Sequence, residues 1–422
     1  MVNGEKKIKQ LVVSTYDVEG GASRSSYRIF KALEKIGFPS KMLVQYKSSM
    51  ESSIITSETS YQKILGKIRT RLDLFPLRKY KNFSNTPWSL GWIPHNLSKE
   101  ILKINPDIVH LNWVGRGFLP IAELPKIKYP IIWTFHDMWA FTGGCHYAFD
   151  CKKYEKSCGQ CPQLDSNNEN DISRKIWEKK KKLWKNTNVT IVSPSRWLAD
   201  CAKESSLFKN FRIEVIPYTI DTEIFKPVDK YAARYILNIP KDKRIILFGG
   251  LSATSDKRKG FQYLIPALKK LEDYGINKDS EILIFGASKP KEDIETKFHT
   301  NYLGFINDDI TLSIIYSAAD VFVMPSIQDN FPNTVLESLS CGTPVVSFGI
   351  GGNLDMINHR ENGYLAKPFE MEDLANGIKW ILSEDNNIAK NLGVSARQKV
   401  EKEYNINKIA SMYLNLFNEL IK

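Results

Sequence analysis

The chain has 422 residues, 42% of them apolar and 25% charged, which is too long for one ordinary core and suits two folded domains of about 200 residues each. Its net charge of +12 points to anionic company: nucleotide diphosphates, lipid phosphates, a membrane surface or nucleic acid. No apolar run approaches the roughly 18 residues of a membrane span, and residues 1–7 lead into a strand rather than a signal-peptide core, so a soluble, cytoplasmic protein is expected.

Residues 8–15 read as a strand and Gly20-Gly21-Ala22-Ser23 as a turn; Ser26, Ile29, Phe30, Leu33 and Ile36 then share one helix face until Gly37 and Pro39 end it. Residues 41–45, 107–111, 130–135 and 189–193 are short apolar runs of the kind that buried parallel strands give. Two basic stretches interrupt them: residues 63–81, with Ile64, Leu65, Ile68 and Leu72 at helical spacing, and residues 174–185, with Trp177 and Trp184. Each suits a solvated helix face over a buried stripe, a helix lying on a membrane surface, or both.

Four of the six cysteines crowd into Cys145-x5-Cys151-x6-Cys158-x2-Cys161. In a reducing compartment such crowding favours metal ligation over disulfides. Cys158-Gly-Gln-Cys161 has the spacing of a zinc knuckle, with Gly159 free to turn the backbone. Structural zinc leads; reduced thiols, disulfides and an iron–sulfur cluster stay open. Cys201 and Cys341 read as packing residues.

Residues 215–227 break the alternation, and a second series follows with strands at 244–250, 281–285, 302–305, 320–324 and 344–348. The fold class is α/β: two Rossmann-like, doubly wound domains facing across a cleft. In the second, Asp329 and Glu337 stand seven residues apart across a strand-loop-helix junction, where Pro332 opens a helix that Gly342 and Pro344 stop. Free N–H groups at Asn333, Thr334 and Val335 can receive a diphosphate, leaving Asp329 for sugar hydroxyls and Glu337 for a ribose diol.

This segment resembles the donor-site motif of the retaining glycosyltransferases of the GT-B fold, the family 4 type that includes many bacterial polysaccharide enzymes. That motif is commonly Glu, seven residues, Glu; here Asp329 stands first and Asn330-Phe331-Pro332 replaces Gly-Phe-Gly, while Glu337 and Cys341-Gly-Thr-Pro-Val-Val fit unchanged. The resemblance implies further roles. Lys259, in Ser255-Asp-Lys-Arg-Lys-Gly260, matches the phosphate-binding Lys before Gly. Gly250 stands where the family has an Arg, so Arg258 is the candidate to supply that guanidinium. His136 resembles the histidine that contacts the donor sugar, and Gly20-Gly21 the Gly-Gly loop near donor phosphate or acceptor. Phe305 and Ile306 lie where the family holds the base by backbone hydrogen bonds, and Gly351-Gly352-Asn-Leu-Asp355 resembles the Gly-Gly-x-x-Glu turn behind the donor.

The domains are therefore expected at 1–217, on the acceptor side, and 218–404, on the donor side, with a helix at 405–422 crossing back to the first. The expected activity is transfer of a sugar from a UDP- or GDP-sugar to a lipid-linked or oligosaccharide acceptor in cell-surface polysaccharide synthesis, by a peripheral protein at the anionic inner-membrane face. His136, Lys259 and Asp329 are the catalytic candidates. No Asp-x-Asp stands where a catalytic metal would bridge the diphosphate, so none is expected. A non-catalytic nucleotide-sugar binder is the rival reading. A basic, zinc-containing nucleic-acid-binding protein is weaker, because the basic residues are not interleaved with a nucleic-acid module.

Overall fold

A computed structural model of the chain describes residues 8–56, 60–81, 83, 87–288, 295–383 and 386–421. Residues 1–7 and the Lys63 side chain lie outside the described set. The chain divides into two compact units, Met1–Pro217 with Ile409–Lys422, and Tyr218–Lys408.

The first unit runs β1 (Gln10–Tyr16), α1 (Gly21–Lys35), β2 (Ser40–Tyr46), β3 (Ile54–Thr56), α2 (Ser60–Asp73), α3 (Leu97–Ile104), β4 (Ile108–Leu111), β5 (Ile131–Thr134), α4 (Ile172–Trp184), β6 (Val189–Ser193), α5 (Arg196–Glu204) and β7 (Ile213–Val215). Its seven strands are all parallel, in the order β3-β2-β1-β4-β5-β6-β7. Central strands such as β4 and β5 are buried on both faces, which is why they read as mostly apolar runs. Trp133 anchors the core, edge-on to Phe135, Trp184 and Phe208 at 5.3, 5.5 and 6.3 Å. Trp177 and Trp184 are buried, so α4 turns its aromatic stripe to the core and keeps Lys175, Lys181 and Lys182 exposed.

The second unit runs α6 (Lys230–Ile236), β8 (Arg244–Gly249), α7 (Phe261–Asp273), β9 (Ser280–Phe285), β10 (His299–Tyr302), α8 (Asp309–Ala318), β11 (Val321–Met324), α9 (Asn333–Ser340), β12 (Val345–Phe348), α10 (Asn353–Met356), β13 (Gly363–Ala366), α11 (Met371–Ile381) and α12 (Asn386–Glu403). Its six strands are parallel too, in the order β10-β9-β8-β11-β12-β13. The last helix, α13 (Ile406–Ile421), belongs to the first unit from Ile409 onward. There the Tyr413 ring lies 5.1 Å from His110, and Phe417 lies 5.5 Å from Phe38. Tyr413 Oη is 3.2 Å from Thr134 Oγ1, and Arg212 pairs with Glu419 at 2.7 Å.

Two local expectations change. Helix α1 already starts at Gly21, so Gly21 to Ser23 form its first turn and Gly20 alone, at φ 84°, is the bend. Ile36 caps that helix half-exposed rather than joining its buried face.

Phe417→Ala would open a cavity beneath α13 and should lower the stability of the first unit by about 3–5 kcal/mol. Chemical denaturation checks it: an unchanged midpoint would mean that α13 adds nothing to this core.

Candidate functional site

Strand order in each sheet reverses once, between β8 and β11 in the second unit and between β1 and β4 in the first. At such a switch point, loops leave the carboxyl ends in opposite directions and open a crevice, the usual ligand position in open α/β sheets. The candidate residues cluster at these two places.

In the second unit, one 3-10 turn (Lys257–Lys259) follows β8 and the loop 325–332 follows β11. Main chain ties them: Ile327 N donates to the Arg258 carbonyl at 2.9 Å. Asp256 accepts from Arg258 N and pairs with its guanidinium, both at 2.9 Å, which sets the direction of that side chain. Asp329 Oδ2 then receives Lys259 Nζ at 3.0 Å and Arg258 Nη1 at 3.4 Å. The Asp329 side chain is only 13% exposed. Burial opposes its ionisation, but the two cations outweigh that and hold its carboxyl below the ordinary range.

Glycines make this closeness possible. A Cβ on Gly260 would sit 1.7 Å from the Pro325 carbonyl oxygen, and one on Gly352 would sit 1.6 Å from that of Asn330. The Gly351-Gly352 turn is thus the floor under the Asp329 loop. Gly250 abuts Thr334 in the first turn of α9, with 3.8 Å from its ideal Cβ position to Thr334 Cγ2.

Helix α9 begins at Asn333 with Pro332 as its cap, one position later than expected, and the Val335 N–H is taken by the Pro332 carbonyl at 3.1 Å. Val335 is therefore not an anion donor. Glu337, 2% exposed, accepts the Tyr316 hydroxyl at 2.9 Å. Phe331 is buried between the rings of Tyr218 and Tyr404, at 5.5 and 5.6 Å, and packs the loop from inside. Asn330 is buried beside it. Past β10, Gly304 accepts from Gly286 N at 2.7 Å, with Phe305 well exposed and Ile306 half-buried.

In the first unit, His136 follows β5, and its Nε2 lies 3.1 Å from Asn112 Oδ1 and 3.3 Å from Ser26 Oγ. An amide oxygen only accepts, so Nε2 carries the proton. Burial pushes the ring down to about 4, so it is a neutral hydrogen-bonding group at pH 7. His110 is a core histidine, held by Gln10 at 2.9 Å and Thr134 at 2.7 Å. His146 lies 2.6 Å from Asp137 and 2.9 Å from Ser89 Oγ, which resembles a nucleophilic triad. But Ser89 is fully buried and its Oγ accepts the Arg116 N–H at 2.8 Å, so this network braces loops. Gly20 and Gly21 are exposed at the start of α1.

Sequence reasoning missed Asp256, Asn112, Ser26 and Tyr316, whose only signal was a polar residue near a strand end or in a helix. The four clustered cysteines line one small cavity and form no disulfide. Among the described residues, no group of three or more His, Cys, Asp or Glu side chains stands in a metal-holding arrangement.

Comparison with known proteins agrees with this architecture. Residues 19–224 match Glycosyltransferase Family 4 and residues 229–399 match Glycosyl transferases group 1. An uncharacterized glycosyltransferase of Methanocaldococcus jannaschii is 29% identical over 196 residues, 45% of this chain and 48% of that protein. A UDP-Gal:α-D-GlcNAc-diphosphoundecaprenol α-1,3-galactosyltransferase of Escherichia coli is 25% identical over 49% of this chain and 54% of its own. The matches thus span about half the length of these relatives. Among solved structures, sucrose-phosphate synthase of Thermosynechococcus elongatus superposes with a TM-score of 0.70 at 20% identity, covering 98% of this chain and 99% of that one. A protein of Anabaena solved with UDP and glucose gives 0.66 at 15% identity, covering 98% and 100%. The two sequence matches, one on each parallel-sheet unit, and these superpositions agree on the GT-B fold.

Two buried histidines make the first unit acid-labile. His110 and His136 stay neutral in the fold down to about 3 and about 4, whereas a solvated histidine protonates near 6.5. The unfolded chain then binds more protons, so stability falls as pH drops from about 6.5 toward 4, by about 1.4 kcal/mol per pH unit for each ring. Urea denaturation at pH 5 and 7 should show a shallower loss in His110→Gln; equal losses would contradict the assignment.

Proposed function

We propose that the protein is a retaining glycosyltransferase that moves a sugar from a nucleoside-diphosphate donor to a lipid-linked saccharide. The carrying observation is Asp329 held between Lys259 and Arg258 at the switch point of the second sheet. In retaining transfer, negative charge builds on the leaving diphosphate as the glycosidic bond breaks, and pre-placed cations are worth most there. Lys259 and Arg258 are such cations, aimed and partly desolvated, with side chains 16% and 13% exposed. A diphosphate entering beside them shares their charge, and Asp329 turns to the sugar hydroxyls.

Glu337, oriented by Tyr316, takes the ribose diol. Asn333 and Thr334 at the start of α9 face the phosphates, the backbone at Phe305 and Ile306 holds the base, and the Gly20-Gly21 bend lets ligand approach main chain. His136, neutral and fixed by Asn112 and Ser26, donates a hydrogen bond to the transferred sugar. The E. coli relative's diphosphoundecaprenol acceptor and the UDP in the Anabaena neighbour support this choice of substrates.

A membrane-bound acceptor needs a docking face, and α2 with the turn after it offers one. Ile64, Ile68, Leu72 and Phe75 are exposed at 58%, 45%, 43% and 56%. They recur every three or four residues, and Lys67, Arg71, Arg78 and Lys79 flank them. Among the described residues no helix is long and apolar enough to cross a membrane, so this reading places the protein on the anionic surface.

Lys259→Ala should slow transfer more than Arg258→Ala, since its contact with Asp329 is the shorter. Glu337→Ala should weaken donor binding by about 1.5–3 kcal/mol, whereas Asp329→Ala mainly lowers turnover. Transfer should survive a divalent-cation chelator; loss restored by magnesium would show that a metal carries the diphosphate charge. Donor binding with no transfer or hydrolysis would support a mere binder. Sedimentation with anionic vesicles should fall in Ile68→Asp/Leu72→Asp, and equal sedimentation would remove α2 from the account.

A further inference from the structure

The cysteine segment between β5 and α4 plays no part in the sugar site, yet its geometry is specific. Cys145, Cys151, Cys158 and Cys161 line one cavity of about 20 Å³, room for roughly one water-sized occupant. Cys145, Cys158 and Cys161 are buried and Cys151 partly so.

The backbone N–H of Gly143 is directed at one sulfur, 3.1 Å from Cys158 Sγ. That donor favours the thiolate, but burial outweighs it and pushes the Cys158 thiol up to about 12. The segment is drawn too tightly to hold side chains at its turns: a Cβ on Gly143 would meet the Ser173 carbonyl oxygen at 2.4 Å, and one on Gly159 would meet that of Glu169 at 2.4 Å.

Lys180 is a second, independent pointer. It is fully buried, with its ammonium on the carbonyls of Trp139 and Thr142 and over the indoles of Trp139 and Trp184 at 4.3 and 5.3 Å. Burial pushes Lys180 down to about 7, and the groups whose negative charge would hold its proton are Cys158 first, then Cys145, Asp137 and Asp73. An ammonium buried this deeply calls for a nearby anion.

We infer that Cys145, Cys151, Cys158 and Cys161 bind one zinc ion as a tetrathiolate that braces this segment, with Lys180 as its buried counter-charge. Four soft donors in a protected pocket suit tetrahedral zinc. Among the described residues these side chains do not stand in a metal-holding arrangement, so binding requires the four thiols to turn toward the cavity they share, and each releases its proton to solvent as it ligates. Four thiolates on a divalent ion leave a double negative charge, which the Gly143 N–H and Lys180 stabilise.

The test uses the full chain. Elemental analysis should find about one zinc per chain. After removal of metal, cobalt(II) titration should give the intense visible bands of tetrahedral thiolate coordination, saturating at one equivalent. Cys158→Ser should lose those bands, and Lys180→Met should need at least tenfold more cobalt to reach half-saturation. Should Cys158→Ser fail to fold, native alkylation decides: the zinc-loaded wild-type chain should protect all four thiols, and chelation should expose them. Absence of zinc with no cobalt bands, bound iron with its own visible absorption, or four thiols that alkylate equally fast with and without zinc would each overturn the inference.

Discussion

Asp329 sits where water scarcely reaches, and it stays ionised there because Lys259 and Arg258 stand 3.0 and 3.4 Å away. The converse matters as much: two cations from a single turn are held at one point although they repel each other. Removing one partner of such a cluster leaves a buried charge uncompensated, which usually costs several kcal/mol. A loop carrying an anion and a turn carrying two cations thus lock each other, and under the proposed function this locked pair is what receives the phosphate and hydroxyl groups of the donor.

The rest of the second unit serves this contact. Parallel strands β8 and β11 deliver both segments to the same end of the sheet, and the strand-order reversal keeps helices from filling the space above them. Gly260 and Gly352 let main chain approach main chain from two sides, closer than any side chain would permit. Asp256 fixes the guanidinium and Tyr316 fixes Glu337. In the first unit the same topology places His136 beside Asn112 at the end of β4, but there the ring is neutral and its partners are uncharged. One unit therefore offers fixed charge and the other a fixed hydrogen-bond donor.

Strands buried on both faces were plain in the sequence, because apolar residues dominate them and the few polar ones, such as His110, are hydrogen-bonded inside: β1, β2, β4, β5, β6, β8, β9, β11 and β12 all announced themselves. The strands missed or misplaced are β3, β7, β10 and β13, the four sheet edges. Ile213-Glu-Val215 and His299-Thr-Asn-Tyr302 face solvent on one side, so their composition matches that of loops. Charged site residues were legible from their place after strands and from the resemblance of their motifs. Their partners were not. Asn112 and Tyr316 join the candidate site only through contacts with His136 and Glu337, 24 and 21 positions away, and no local pattern encodes such a contact. Phe331 shows the opposite error: it belongs to the motif, yet its place is to pack the loop.

The most direct test of the central claim is calorimetric titration of the full chain with uridine, UMP and UDP at low and high salt, with the guanosine series alongside. If Lys259 and Arg258 form a diphosphate receptor, affinity rises with each added phosphate for the preferred base. The β-phosphate alone should add about 1.5–3 kcal/mol, as for a hydrogen bond to a charged group, and salt should shrink that increment. Equal affinity for nucleoside and nucleoside diphosphate would contradict the account.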